Sequence, residues 1–198
     1  MEVMGLLLGY PNPDAPHSLV ETDALPLLVE EFETLGVADD EDAMNHMIKL
    51  GESVERSRRE HFIGWHHSHP FDVEIHSHCC MSQKDMSSQI LWQRGEEPYG
   101  NPFLAIVFDT LRSLEKKLSE LKSFRVHLPE WESNVTNECP DGSVMPNEIA
   151  CLEKWGVCWS RCYEPDVEHF ISERARSVMG VLIKNYLWMT TLSTTKLL

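Results

Sequence analysis

Residues 62–85, FIGWHHSHPFDVEIHSHCCMSQKD, decide how the chain is read. The apolar run Phe62–Trp65 has the look of a buried strand, and it leads straight into His66-His67-Ser68-His69-Pro70. Alternate side chains of an extended segment share a face, so His67 and His69 can aim their imidazoles at one point. Pro70 then stops the segment from continuing as a central ladder member. Ser82-Gln83-Lys84-Asp85 precedes Met86, Ile90 and Gln93 at helical spacing. This predicts a helix with Ser82 at its start and Asp85 in its first turn.

Two imidazoles and a carboxylate are three protein ligands, the catalytic pattern for zinc, with a fourth position open to water. Such a site produces a hydroxide nucleophile at neutral pH and suits peptide-bond hydrolysis. Each half also has a plain reading. His-x-His is common without a metal, and Ser-x-x-Asp ahead of an apolar run equally describes a capping box.

Taken together, Ile63-Gly64-Trp65-His66-His67-Ser68-His69-Pro70 and Ser82-x-x-Asp85-Met86-Ser87-Ser88-Gln89 resemble the JAMM (MPN+) metalloprotease signature. The opening Met1-Glu2-Val3-Met4-Gly5-Leu6-Leu7-Leu8-Gly9 is similar to the family's glutamate-bearing strand. Within the family, Asn101–Asp109, Ser123-Phe124-Arg125 and Thr191-Leu192-Ser193 look more like the catalytic subunits of the COP9 signalosome than the proteasome-lid deubiquitinases.

The resemblance implies an α/β fold, a single MPN (JAMM) domain over 1–198 whose mixed sheet is flanked by helices in a cytidine-deaminase-like arrangement. It implies Zn2+ on His67, His69 and Asp85, with Glu2 as general base and then acid. Ser82 would steady the tetrahedral intermediate. It further implies an isopeptidase that removes the neddylation modifier from cullin lysines, in the cytoplasm and nucleus. Its partners would be the other signalosome subunits, above all a second MPN subunit, and neddylated cullin as substrate. Ubiquitin-chain cleavage and a noncatalytic MPN scaffold are the competing readings.

Three departures accompany the likeness. Only Met1 precedes Glu2, where the signalosome members carry a longer first segment. Residues 29–37 match a first insertion, with Leu35 at the place of a clamping arginine. The loop between His69 and Ser82 holds twelve residues, more than is usual in the family, and brings His76, His78, Cys79 and Cys80 near the ligands in sequence. Those four residues suit a second or inhibitory zinc contact, and a plain surface loop is the alternative.

Composition sets the remaining bounds. A length of 198 residues with 42% hydrophobic content fits one domain, and 17 basic against 32 acidic residues give a net charge of −15. That charge repels nucleic acid and anionic lipid, so neither is expected as a partner. The start lacks the pattern of a secretory signal. The six cysteines are accordingly expected as free thiols, and the sequon Asn134-Val135-Thr136 as inert.

Further strands are expected at Val3–Leu8, Leu19–Leu25, Phe103–Asp109, Lys122–Leu128 and, at an edge because of Pro165, Tyr163–Phe170. A dipole-complementing helix is expected over Asp39–Arg59, and a solvated helical or turn segment over 111–121. Residues 129–150, a second insertion by resemblance, are rich in turn formers and predict a mobile segment with little core. From Ser172 onward Ala175, Val178, Met179, Leu182 and Tyr186 trace one helical face. Val181, Ile183 and Leu187 lie elsewhere on the same helix, so a protein partner is expected to cover it.

Overall fold

The computed structural model describes residues 3–26, 41–69, 80–109, 113 and 119–185. The chain divides into two compact units, Met1–Asp166 and Val167–Leu198. The first contains a six-stranded sheet. Its strands are β1 (Met4–Pro11), β2 (Leu19–Pro26), β3 (His61–Ser68), β4 (Leu104–Phe108), β5 (Leu121–Val126) and β6 (Cys162–Tyr163), in the spatial order β2-β1-β3-β4-β5-β6. Among the described residues only the β3–β4 pair is parallel, so the sheet is mixed.

The connection between β3 and β4 contains helix α2 (Gln83–Glu96), in keeping with the crossover that a parallel pair needs. Helix α1 (Glu41–Arg58) precedes β3 and packs on it, where a Cβ on Gly51 would come within 2.7 Å of the Phe62 ring. A short helix α3 (Glu148–Trp155), capped by the Asn147 side chain, lies between β5 and β6.

The middles of β1, β3 and β4 are buried on both faces, as the apolar runs of β1 and β4 and Ile63-Gly64-Trp65 of β3 require. Leu6, Trp65, Met86, Ala105, Val107 and Phe124 belong to the larger core, together with Cys139, Cys151, Trp155, Cys158 and Cys162. Leu7, Ile63 and Ile106 form a smaller cluster. Adjacent residues in β1 and β4 thus divide between the two cores, as the period of 2 dictates. The β3–β4 approach is close enough that a Cβ at Gly64 would stand 2.3 Å from the Leu104 carbonyl oxygen.

Several expectations are refined. Residues 129–150 contribute more core than their turn-rich sequence suggests, because Cys139 is 4% exposed and packs 3.6 Å from the fully buried Cys151 thiol just beyond the segment. Cys139 N donates to Ser143 O and Gly142 N to Cys139 O, a tight turn that drives the thiol inward. Pairing after Cys162 ends at Tyr163, so the expected strand to Phe170 is a two-residue edge. The predicted first insertion, most of segment 111–121, and His76, His78 and Cys79 lie outside the described residues.

In the second unit, helix α4 (Glu173–Asn185) starts at Ser172, whose Oγ accepts from Ala175 N at 3.1 Å. Val178 and Val181 are more than half exposed on it. The Leu182 and Leu187 side chains lie outside the described residues. Among the described residues no helix is long and apolar enough to cross a membrane.

Candidate metal centre

β3 brings the two histidines in and α2 brings the acid. His67, in the last turn of alternation before the strand ends, is 3% exposed, and His69 follows one residue beyond it. Their ring centroids are 4.8 Å apart. Ser82 is the N-cap of α2: its Oγ accepts from Asp85 N at 3.2 Å, while Asp85 Oδ2 accepts from Ser82 N at 2.7 Å. The capping box is therefore present, and it is not an alternative to a ligand role. It fixes Asp85 in a position where the same Oδ2 lies 3.4 Å from His67 Nε2 and 3.2 Å from His69 Nε2.

One donor atom from each of His67, His69 and Asp85 falls within 4.8 Å of the other two. Zinc–ligand bonds of about 2.0–2.1 Å in tetrahedral array place ligand atoms roughly 3.3 Å apart, which the two measured separations match. Neither ring nitrogen of His67 has a hydrogen-bond partner although the ring is buried. An unsatisfied buried polar atom costs about 1–3 kcal/mol, and a cation at Nε2 would remove one such cost. The donor set therefore fits a divalent metal.

Electrostatics agree. Burial would raise the Asp85 carboxyl, but His67, His69 and Ser82 outweigh it and hold Asp85 well below the ordinary carboxylate range. Asp85 is thus ionised and ready to ligate at neutral pH.

Among the described residues the nearby thiols Cys158 and Cys162 are held in the protonated form. Cys158 Sγ lies 3.7 Å from Gln83 Oε1, and its pKa is pushed up to about 11 by burial and then by the charge of Asp85. Cys162 is pushed up to about 12, chiefly by burial. Cys80, 6% exposed, belongs to the larger core, with its thiol 3.5 Å from the Lys154 carbonyl. It is not part of the ligand group, which weakens the idea that it reaches the metal. Among the described residues Cys139, Cys151, Cys158 and Cys162 are free thiols, as expected.

Glu2 lies outside the described residues. Its neighbour Val3 pairs with Ser68, the residue between the two histidines: Ser68 N donates to Val3 O at 2.9 Å, and Val3 N to Ser68 Oγ at 3.0 Å. Sequence reasoning did not single out the support behind the ligands. Trp65 stacks on His67, and its indole N–H donates to Gln89 Oε1 at 2.7 Å. Two glutamines four apart on the buried side of α2 were the available signal, since a buried amide demands partners.

Residues 1–97 match the family described as JAB1/Mov34/MPN/PAD-1 ubiquitin protease. The whole chain aligns with the COP9 signalosome complex subunit 5 of Neurospora crassa at 34% identity, covering 55% of that protein. Subunit 5a of Arabidopsis thaliana is 31% identical, with 51% of it covered, and the Drosophila melanogaster subunit 5 is 31% identical, with 56% covered. The chain spans about half the length of these relatives. The mixed sheet, the His-x-His at the end of β3, the capped acid of α2 and the matches along the sequence agree: the chain carries a domain of the JAB1/Mov34/MPN/PAD-1 family.

Proposed function

We propose that this chain is a zinc isopeptidase of JAMM type that removes a ubiquitin-like modifier, the neddylation modifier in first place, from cullin lysines as part of a COP9 signalosome. The observation that carries the reading is the convergence of His67, His69 and Asp85 on one point, with both His–Asp85 separations suited to tetrahedral zinc. The match to signalosome subunits supports the substrate class and the complex. A second MPN subunit is the partner proposed for α4, whose exposed Val178 and Val181 present apolar surface.

Zinc held by the three ligands supplies Lewis acidity and activates water at neutral pH. The chain's residues do the rest. Asp85, kept ionised and fixed by the Ser82 backbone, contributes negative charge and a set direction. The Ser82 hydroxyl, while accepting from Asp85 N, retains its own proton and donates it as a hydrogen bond to the oxyanion that develops at the scissile carbonyl. Glu2 takes a proton from the attacking water and returns it to the departing lysine amine.

The test is cleavage of neddylated cullin and of ubiquitin chains by the wild-type protein and by Glu2→Gln. The variant retains metal and loses at least about 10²-fold in rate. Equal rates for the two proteins remove Glu2 from the mechanism, and cleavage of ubiquitin chains alone moves the assignment to a deubiquitinase.

A further inference from the structure

A cavity of about 620 Å3 opens in the segment from His127 to Asp166, and none of the metal ligands lines it. Its wall is aromatic. His127 and Trp131 stack with centroids 3.4 Å apart and planes 2° from parallel, Tyr163 lies 4.8 Å from His127, and Trp159 lines the same space. Trp131 nevertheless remains 42% exposed, an unusual state for so large an apolar ring already stacked on one side. Burial holds the His127 imidazole below its ordinary pKa, so at neutral pH it is an uncharged π surface.

Five carboxylates also line the cavity, and they are not equivalent. Asp141 is paired with Lys154 at 2.8 Å, and Glu164 with Lys122 at 2.9 Å. Both lysines also lie over the Trp155 ring, so they are committed to the fold. Glu138 accepts only from the Ser133 hydroxyl, at 2.8 Å, and no cation among the described residues pairs with Glu138, Glu148 or Asp166. Arg161, on the turn preceding β6, is the nearby cation left to oppose these three acids, and the cavity stays negative.

We propose that this cavity docks an arginine-bearing segment of a partner protein. A guanidinium stacks on aromatic faces and forks onto carboxylates, which an ammonium does less well, and here both elements line one concave space. An aromatic wall without acids would suit any apolar group, and acids without the wall would attract any cation. The combination selects a planar cation on a peptide. This inference does not rest on the isopeptidase reading, because no residue of the cavity belongs to the metal centre.

The test uses the 198-residue chain and the probe peptide acetyl-Gly-Arg-Gly-Arg-Gly-amide, followed by calorimetry and by the Trp131 indole NMR signal. The expected result is saturable binding with movement of that signal, and at least fivefold weaker binding by Trp131→Ala, Glu138→Gln and Glu148→Gln. Glu52→Gln, an exposed acid on α1, binds as the wild type does. Thermal melts establish that each variant is folded; if Trp131→Ala is not, the two glutamate variants decide. The proposal is overturned if the citrulline twin binds equally, if Glu52→Gln weakens binding as much as Glu138→Gln, or if no saturable binding occurs. Equal affinity for the lysine twin or for tetramethylammonium overturns the guanidinium assignment.

Discussion

The indole of Trp65 lies face to face with the imidazole of His67, ring centroids 4.6 Å apart and planes 10° from parallel. The stack is anchored from behind. Trp65 Nε1–H donates to Gln89 Oε1, and Gln89 Nε2 donates to Gln93 Oε1 and to Phe103 O, at 2.7, 3.0 and 2.9 Å. Gln93 Nε2 donates to Val126 O while its Oε1 accepts from Val126 N. A buried polar network so fully partnered rigidifies its surroundings, and this one ties β3, the strand that carries His67, to α2, the start of β4 and β5.

Gln89→Leu should therefore destabilise more than its shape suggests. It removes the partners of the Trp65 N–H and the Phe103 carbonyl, and each buried orphan costs about 1–3 kcal/mol. A loss of roughly 2–4 kcal/mol in urea denaturation is expected, and Trp65→Phe, which retains the stack, should lose less. An unchanged midpoint for Gln89→Leu would show that the network contributes nothing net.

Metal content checks the ligand set directly. The purified chain should hold about one zinc, and His67→Ala should lose most of it after dialysis. Unaltered zinc in that variant would place the metal elsewhere.

The site was legible in the sequence wherever chemistry and local geometry coincide. His67 and His69 share a face because strand alternation allows nothing else, and Asp85 is in reach because Ser82 starts a helix. What tertiary packing decides was not legible. Nothing local about Cys139 says that a thiol in a turn-rich stretch will be buried 3.6 Å from the Cys151 thiol of α3. Nor does Gln89 announce itself, since a helical glutamine is ordinarily solvated and only the Trp65 indole and the Phe103 carbonyl give it reason to be fully buried.

Ser82 caps α2, and the proposed mechanism adds a second, separable role for its hydroxyl. Ser82→Ala removes the Oγ that accepts from Asp85 N, for a cost of about 1 kcal/mol, and leaves the backbone N–H that holds Asp85 Oδ2. Zinc should stay, while cleavage falls by roughly 10²–10³-fold if the hydroxyl meets the oxyanion. Full activity in a folded, zinc-loaded Ser82→Ala protein would reduce Ser82 to a cap.

The Asp141–Lys154 pair predicts a pH dependence away from the metal. Burial pushes Asp141 up, but the hydrogen bonds from Lys154 and Ser143 and the lysine charge more than reverse this, leaving its pKa at about 2. Because the folded value lies below the unfolded one of about 3.9, the pair's stabilisation is complete above that value. It is lost as pH falls through about 2. Lys154 is 44% exposed at its side chain, so solvent screening limits the contribution to roughly 0.5–1 kcal/mol. Asp141→Asn should accordingly melt below the wild type at pH 7, and the gap should narrow between about pH 4 and pH 2.5. A gap that is constant across that range would mean that Asp141 acts through its hydrogen bond to the Ser143 hydroxyl and backbone rather than through its charge.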